Sequence, residues 1–152
     1  MKHSKLMKER IRRVNVLFRE LGYELADGEH MQDSYTAGFE EEDGFQAGVF
    51  IDRESKFLEL AFTFSFSPEL GDLVKDKFEE MLAICYEFGC YVHVQASPEE
   101  IAFSVFSKLY YAGLNYFALK ETIRDFREAI QSLQELLEIQ EQFGKGEADG
   151  DS

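Results

Sequence analysis

Residues 57–66 read Phe-Leu-Glu-Leu-Ala-Phe-Thr-Phe-Ser-Phe, and this stretch is the central element of the chain. Large apolar side chains occupy every even position from Leu58 to Phe66, and small or polar side chains separate them. An alternation of period two indicates a β-strand with one buried face. Ser67 and Pro68 follow at once, and they are typical of a helix start, with serine as N-cap and proline at the first helical position. A strand therefore leads directly into a helix that must pack back on the sheet.

The chain before this strand carries a helical pattern and then weaker strand patterns. Apolar residues at three- and four-residue steps predict a first helix over 4–21, ended by Gly22. Its stripe consists of Leu6, Ile11, Val14, Leu17, Phe18 and Leu21. Residues 24–33 look like a loop, and a short strand is expected around Ser34–Phe39. Phe45–Ile51 is predicted as a strand that turns into the central one.

The chain after this strand contains a second helix and an ambiguous turn. The second helix is predicted over 68–88, with Leu70, Val74, Phe78, Met81, Cys85 and Phe88 along one stripe. Tyr91–Ala96 alternates again, as a strand does. Residues 97–100 fit either a helix capping box or a hairpin turn. We favour the hairpin, because 101–111 alternates and is rich in β-branched and aromatic residues.

The last pattern predicts a long helix over 116–142, capped by Asn115. We expect a single domain over 1–143 and a disordered acidic tail over 144–152. The element order is then α-β-β-β-α-β-β-α. This order predicts an α+β fold with an antiparallel sheet of about five strands and three helices.

Composition and charge narrow the class of partner. The chain of 152 residues carries a net charge of −14, with 16 basic and 30 acidic residues. This balance disfavours nucleic acid and anionic membranes, and it favours basic partners. Seven of the basic residues crowd the first 19 positions, where we expect a solvated helix face. With no apolar run for a signal peptide or a membrane span, the sequence predicts a cytoplasmic protein.

No motif of known chemistry is present. The sequence lacks paired histidine or cysteine metal motifs, glycine-rich phosphate loops and a nucleophile elbow. We therefore predict no enzyme, and we expect no catalytic, cofactor or metal site. Cys85 and Cys90 are interpreted as small core residues rather than as a disulfide. His30 lies among acidic loop residues, where a cation site is less expected than simple solvation, and His93 is interpreted as a structural histidine.

The surplus of aromatic residues is the stronger signal. The alternation within each strand assigns its residues to one of two sides of the sheet. The core side then contains Leu58, Phe62, Phe64, Val92, Val94, Phe103 and Val105. The opposite side receives Phe50, Tyr91, His93, Phe106 and Tyr110. Three helices usually do not cover both sides of such a sheet. We expect these five residues to form a protein-interaction surface, unless a helix packs there or the sorting is wrong by one residue.

The segment 89–130 carries a resemblance to a known group. A hairpin ends in Leu109–Tyr116 and passes directly into a helix starting at Phe117, and the first helix ends in Leu21-Gly22-Tyr23. In these patterns and in element order, the chain resembles YbjN-type bacterial proteins and the fold of type III secretion chaperones. The resemblance implies a binding role, because those chaperones hold an extended segment of a client protein on apolar patches. They are also small, acidic and usually dimeric. YbjN-type proteins are described as sensory or stress regulators.

The sequence thus favours a non-enzymatic protein-binding module, chaperone-like or regulatory, which we expect to form a homodimer and to bind a protein or peptide partner. The alternative is a small-ligand-binding or enzymatic domain with a pocket between the last helix and the sheet. Tyr91, His93 and Tyr110 would then supply the polar groups. Interaction of the basic first helix with an acidic partner is a third, weaker hypothesis.

Overall fold

A computed structural model describes the backbone of residues 4–150, and all side chains within it except those of Asp27 and residues 138–150. The helices are α1 (Lys5–Glu20), α2 (Gly71–Glu87) and α3 (Tyr116–Gly150). The strands are β1 (Ala26–His30), β2 (Ser34–Glu40), β3 (Gln46–Asp52), β4 (Phe57–Phe66), β5 (Tyr91–Ala96) and β6 (Ile101–Tyr110). Short 3-10 helices, Pro68–Leu70 and Tyr111–Gly113, precede α2 and α3.

The strands form one antiparallel sheet in the order β1-β2-β3-β4-β6-β5, so the α+β class is confirmed. The described sheet has six strands rather than about five. The additional strand is β1, which lies in the predicted loop over 24–33. Its sequence Ala-Asp-Gly-Glu-His lacks apolar alternation. It is a strand because its backbone pairs with β2, a tertiary effect that the local sequence does not signal.

Contacts within the chain define two compact units. The first contains the chain up to Phe62 together with Phe106–Arg124, and the second contains Thr63–Val105 together with the chain from Asp125 onward. Strands β4 and β6 and helix α3 each contribute to both units. The units are described separately below.

The core of the first unit is built where α1 packs against β3. Met7, Val14 and Phe18 of α1 are fully buried, and the Phe18 ring lies 5.2 Å from that of Phe39 on β2. The predicted stripe is therefore confirmed at Val14 and Phe18 and differs at its first position: Leu6 is exposed and Met7 takes the buried place. The cause is that three- and four-residue spacing fits either residue, and only packing selects between them.

The core of the second unit forms between α2 and the strands. The Phe103 ring lies 6.1 Å from that of Phe78 on α2 and 6.5 Å from that of Phe64 on β4. Met81 and Cys85 of α2 are buried, as the stripe predicts. Val94 was predicted to be core and is instead 40% exposed. It lies on β5, which ends the sheet, so its side chain lacks a neighbouring strand on one side.

The predicted helix boundaries are largely confirmed by their caps. The Ser4 hydroxyl accepts the N–H of Met7, the Ser67 hydroxyl accepts the N–H of Glu69, and the Asn115 side chain accepts the N–H of Ala118. The left-handed glycines Gly22 and Gly89 follow α1 and α2. The hairpin alternative for residues 97–100 is the correct one.

The last helix is longer than predicted. Its backbone continues to Gly150, eight residues beyond the predicted end at 142. These eight residues contain no proline, but three of them are glycine, a poor helix former, so their composition does not predict this continuation. The side chains of residues 138–150, and Asp151 and Ser152 altogether, lie outside the described residues. The predicted disordered tail over 144–152 falls on this part of the chain.

Candidate binding surface

In the first unit, β3 and β4 carry two different faces. On one face Val49 pairs with Leu60 across the strands, and both side chains are buried. On the other face Phe50 pairs with Glu59 and also with Thr36 of β2. Phe50 is 39% exposed although it lies in the interior of the sheet. We call this second side of the first unit the open face.

Aromatic rings gather on the open face. The Phe57 ring meets the Tyr110 ring edge-on at 5.8 Å, and the Lys108 ammonium lies 4.5 Å from the centre of the Phe57 ring. Tyr110 is nevertheless 60% exposed. Phe106, Lys108 and Tyr110 are spaced two residues apart on β6, so they lie on the same face of the strand. The Phe106 side chain is half-buried. We call Phe50, Phe57, Phe106 and Tyr110 the aromatic patch.

A pair of opposite charges accompanies the aromatic patch. Burial raises the pKa of Glu59, and the positive charge of Lys108 opposes this shift. The raised pKa shows that desolvation outweighs the attraction of Lys108 at this carboxyl. The open face therefore combines apolar rings with one anion and one cation at short range. Such a mixture suits a peptide, which carries apolar, charged and hydrogen-bonding groups together.

Two shallow concavities deepen the open face. One, of about 440 Å³, is bounded by Ser34 and Thr36 of β2, Phe50 of β3, and Phe57 and Glu59 of β4. The other, of about 480 Å³, lies around the β3–β4 turn and reaches Tyr110. Neither is lined by a residue of α3, so they differ from the pocket expected between the last helix and the sheet.

The β3–β4 turn that borders both concavities is held by the first helix. The Arg10 guanidinium donates to the carbonyl oxygens of Asp52, Arg53 and Ser55 at 3.0–3.2 Å. It also lies 4.2 Å from the centre of the Tyr111 ring. Burial raises the pKa of Tyr111 to about 12. Arg10 thus fixes the rim of the open face rather than pointing to a partner.

A second basic residue of α1 is also engaged inside the protein. Arg13 donates to the carbonyl oxygens of Tyr111 and Leu114, where the chain enters α3. The expectation of a uniformly solvated basic face is therefore wrong for Arg10 and Arg13. The positions of basic residues in the sequence do not show which of them will donate hydrogen bonds to backbone carbonyl groups elsewhere in the fold. Lys5, Lys8, Arg12 and Arg19 are exposed, as expected.

The predicted interaction residues fall into two groups. Phe50, Phe106 and Tyr110 belong to the first unit and lie on its open face. Tyr91 and His93 belong to β5 in the second unit, where both are exposed. The strand alternation predicts that these five residues lie away from the core, and all five are exposed or half-buried.

Three residues of the open face were not predicted. The sequence pattern places Phe57 in the central strand but indicates no binding role for it, and it indicates none for Glu59 or Lys108. The sequence signal for Phe57 and Glu59 is the alternation of side chains along a strand. Both residues alternate with the buried Leu58 and Leu60, so their side chains lie on the opposite face. Alternation does not show that Lys108 of β6 lies beside Phe57, because this contact depends on the order of strands in the sheet.

The groups that most often perform chemistry are not assembled here. Within the part of the chain whose side chains are described, no three His, Cys, Asp or Glu residues lie together as metal ligands would. Cys85 and Cys90 are free thiols, and burial raises their pKa to about 11 and about 12. His30 packs against the Tyr35 ring at 4.8 Å. Among the described helices, none has the length and apolarity to cross a bilayer.

Comparison with known proteins supports the fold. No protein-family model and no curated protein matches the chain. The crystal structure of an uncharacterized protein from Methanothermobacter thermautotrophicus is similar, with a TM-score of 0.65 and 16% sequence identity. The match covers 90% of this chain and 99% of that one. At this identity the likeness shows a shared fold alone.

Proposed function

We propose that this protein is a non-enzymatic protein-binding module, chaperone-like or regulatory, that uses the open face of its first unit. The observation that supports the proposal is the aromatic patch, where Phe50 and Tyr110 stay exposed although the strands that carry them contribute buried residues on their other face. Exposed aromatic groups beside charged ones are typical of protein contact surfaces. The resemblance to YbjN-type proteins and secretion chaperones agrees with a role of this kind.

The partner we propose is a protein segment with apolar and basic side chains. Apolar side chains would enter the concavity beside Phe50 and Phe57. Basic side chains would be drawn by the net charge of −14 and by the Glu59 carboxylate. A reducing cytoplasmic location fits the two free cysteines.

The test is selection of binding peptides from a random library on the intact protein, followed by affinity measurement. The Phe50→Asp and Tyr110→Asp variants should weaken the selected peptides by about tenfold each, since a buried aromatic anchor commonly contributes over 1 kcal/mol. Phe117→Asp is the matched control, because Phe117 is 74% exposed but lies at the start of α3, outside the patch.

Equal affinity of the open-face variants and the wild type would overturn the proposed surface. Phe106→Asp supplies a second reading, because Phe106 is half-buried. It should remove peptide binding while circular dichroism keeps the helix content of the wild type. If the substitution unfolds the protein instead, Phe106 is a core residue and is not part of the proposed binding surface.

A small-ligand role is the second candidate, and the concavity of about 440 Å³ favours it. This volume lies within the usual range of ligand sites, roughly 300–1,000 Å³. A thermal-shift screen against metabolites and divalent cations separates the two roles. A ligand present at 100 times its dissociation constant adds about 2.7 kcal/mol of stability, which a thermal shift detects readily. Stabilisation that is lost in Phe50→Asp would favour the ligand role.

A further inference from the structure

The two ends of the sheet differ in how they are protected. Strands β1 and β5 each have a neighbour on one side only. Strand β1 carries Asp27 and Glu29, and its pairing with β2 is irregular between Ala26 and Glu29. Charged residues and irregular pairing are the devices by which proteins prevent other strands from adding to a sheet edge. The β1 edge is therefore a protected one.

Strand β5 carries no such charges. Its sequence is Tyr-Val-His-Val-Gln-Ala, which contains no proline, no glycine and no Asp, Glu, Lys or Arg. Five of its six residues are exposed, and Val92 is half-buried. β-Branched and aromatic residues favour the extended conformation. An exposed strand of this composition is a ready template for one more strand.

The hairpin fixes which backbone groups face outward. The N–H of Ser97 donates to the carbonyl of Glu100 at 2.9 Å, so these two residues form a hydrogen-bonded pair. In an antiparallel pair such residues alternate along each strand. The N–H and C=O groups of residues 91, 93 and 95 therefore point to β6. Those of Val92, Val94 and Ala96 point to the outer edge of β5.

The charges around this edge indicate the kind of occupant. Glu87 precedes β5 and Glu99 follows it, and both are exposed. Asp125 is also close enough to the beginning of the strand to raise the pKa of Cys90. An uncharged strand thus lies between two acidic ends. A second copy of this chain would bring acidic ends together, whereas a segment with basic ends would complement them.

We propose that the outer edge of β5 binds an extended segment of a partner protein, with β-branched residues at its centre and Lys or Arg at both ends. The segment adds to the sheet as a seventh strand. Its backbone bonds to Val92, Val94 and Ala96, and its basic ends meet Glu87 and Glu99. This inference rests on the protein-binding role proposed above, but it uses a different surface of the molecule.

The test uses a fluorescent peptide of about ten residues, alternating Thr and Val at the centre with two lysines at each end. Binding to the full chain is measured by fluorescence anisotropy. A peptide with glutamates in place of the lysines should bind about tenfold more weakly, because like charges then meet at both ends. Affinity of the lysine peptide should fall as salt is raised, since exposed charges are screened.

The decisive variant is Val94→Pro. Proline removes the outward N–H of residue 94 but no hydrogen bond to β6, and edge strands tolerate proline at such positions. We expect about a tenfold loss of peptide affinity, as one hydrogen bond is lost and the ring obstructs the edge. Val94→Thr is the matched control, because it keeps the N–H and a β-branched side chain, and it should bind like the wild type.

Hydrogen exchange keeps the proposal testable if Val94→Pro folds poorly. The lysine peptide should slow exchange at the amides of Val92, Val94 and Ala96 in the wild type. Unchanged exchange there would overturn the proposal, as would equal binding of the glutamate peptide. Cross-linking of two copies through Gln95→Cys, in competition with the peptide, would show instead that a second copy occupies the edge. Phe50→Asp should leave this binding unchanged, which separates it from the open face.

Discussion

Single side chains set the geometry of the open face through contacts distant in sequence. Arg10 is the main example, since it lies about 40 residues before the turn whose three carbonyl oxygens it binds, and it also covers the Tyr111 ring. A guanidinium is suited to this task because its donors form a planar fork and it stacks on aromatic rings. The rim of the surface is thus held by the first helix.

Arg10→Ala should therefore destabilise the protein. The change removes charge-assisted hydrogen bonds to carbonyl groups, and we expect a loss of about 1–3 kcal/mol in the free energy of unfolding. Urea denaturation monitored by circular dichroism measures it. Arg12→Ala is the matched control, because Arg12 is exposed and such substitutions usually stay within about 0.5 kcal/mol. Equal effects of the two would contradict the role of Arg10.

The two thiols predict a dependence of stability on alkaline pH. Burial raises the pKa of Cys85 to about 11 and that of Cys90 to about 12, above the ordinary value for an unfolded chain. The folded protein then holds these protons more tightly than the unfolded one. The corresponding stability is present in full below about pH 8.5, and it is lost as pH rises towards 11–12.

Two measurements check this prediction. Ellman's reagent should react slowly with the native protein at pH 8 and rapidly in urea, because the reactive thiolate is scarce in the folded state. The double variant Cys85→Ala, Cys90→Ala should lose less stability between pH 9 and 11 than the wild type. Rapid reaction in the native state would contradict the burial of the thiols.

At the scale of elements, chain reversals are set by residues whose backbone conformation is special. The junction of α2 and β5 is an example. Gly89 has a φ of +70°, its N–H donates to the carbonyl of Tyr86, and the N–H of Cys90 donates to that of Cys85. These are the two hydrogen bonds of a Schellman motif, which satisfies the last carbonyls of a helix. Directly after this motif, the chain continues into β5, the strand that ends the sheet.

Gly89→Ala should destabilise the protein by about 1 kcal/mol, because a side chain at positive φ approaches the backbone too closely. Gly113→Ala provides the control, since Gly113 has ordinary backbone angles and open space at the Cβ position. Thermal unfolding of the two variants measures the difference. A Gly89→Ala variant as stable as Gly113→Ala would contradict the importance of the left-handed position.

For the whole molecule, net charge governs association. The sequence predicts a homodimer, and two copies of charge −14 repel one another at long range. The dimer should therefore strengthen with added salt, the opposite of what we expect for a basic peptide. Light scattering on a sizing column, over a range of protein and salt concentrations, measures the mass. A monomer under all these conditions would contradict the homodimer prediction.

The elements with strong local patterns could be predicted from the sequence. The alternation in 57–66, the helical stripes and the caps at Ser67 and Asn115 predicted most elements and the α+β class. These features follow from short-range geometry, because side-chain direction repeats every two residues in strands and every 3.6 residues in helices. The same alternation placed Phe50 and Tyr110 away from the core.

The remaining features depend on contacts between segments that are distant in the sequence. Strand β1 exists because β2 pairs with it, and Val94 is exposed because β5 ends the sheet. The neighbours of Phe57, namely Tyr110 and Lys108, come from a strand more than 50 residues later in the sequence. The order of strands depends on contacts between distant segments, and local patterns carry no information about which segments meet. The composition of the open face and the unprotected edge of β5 are therefore properties of the folded molecule.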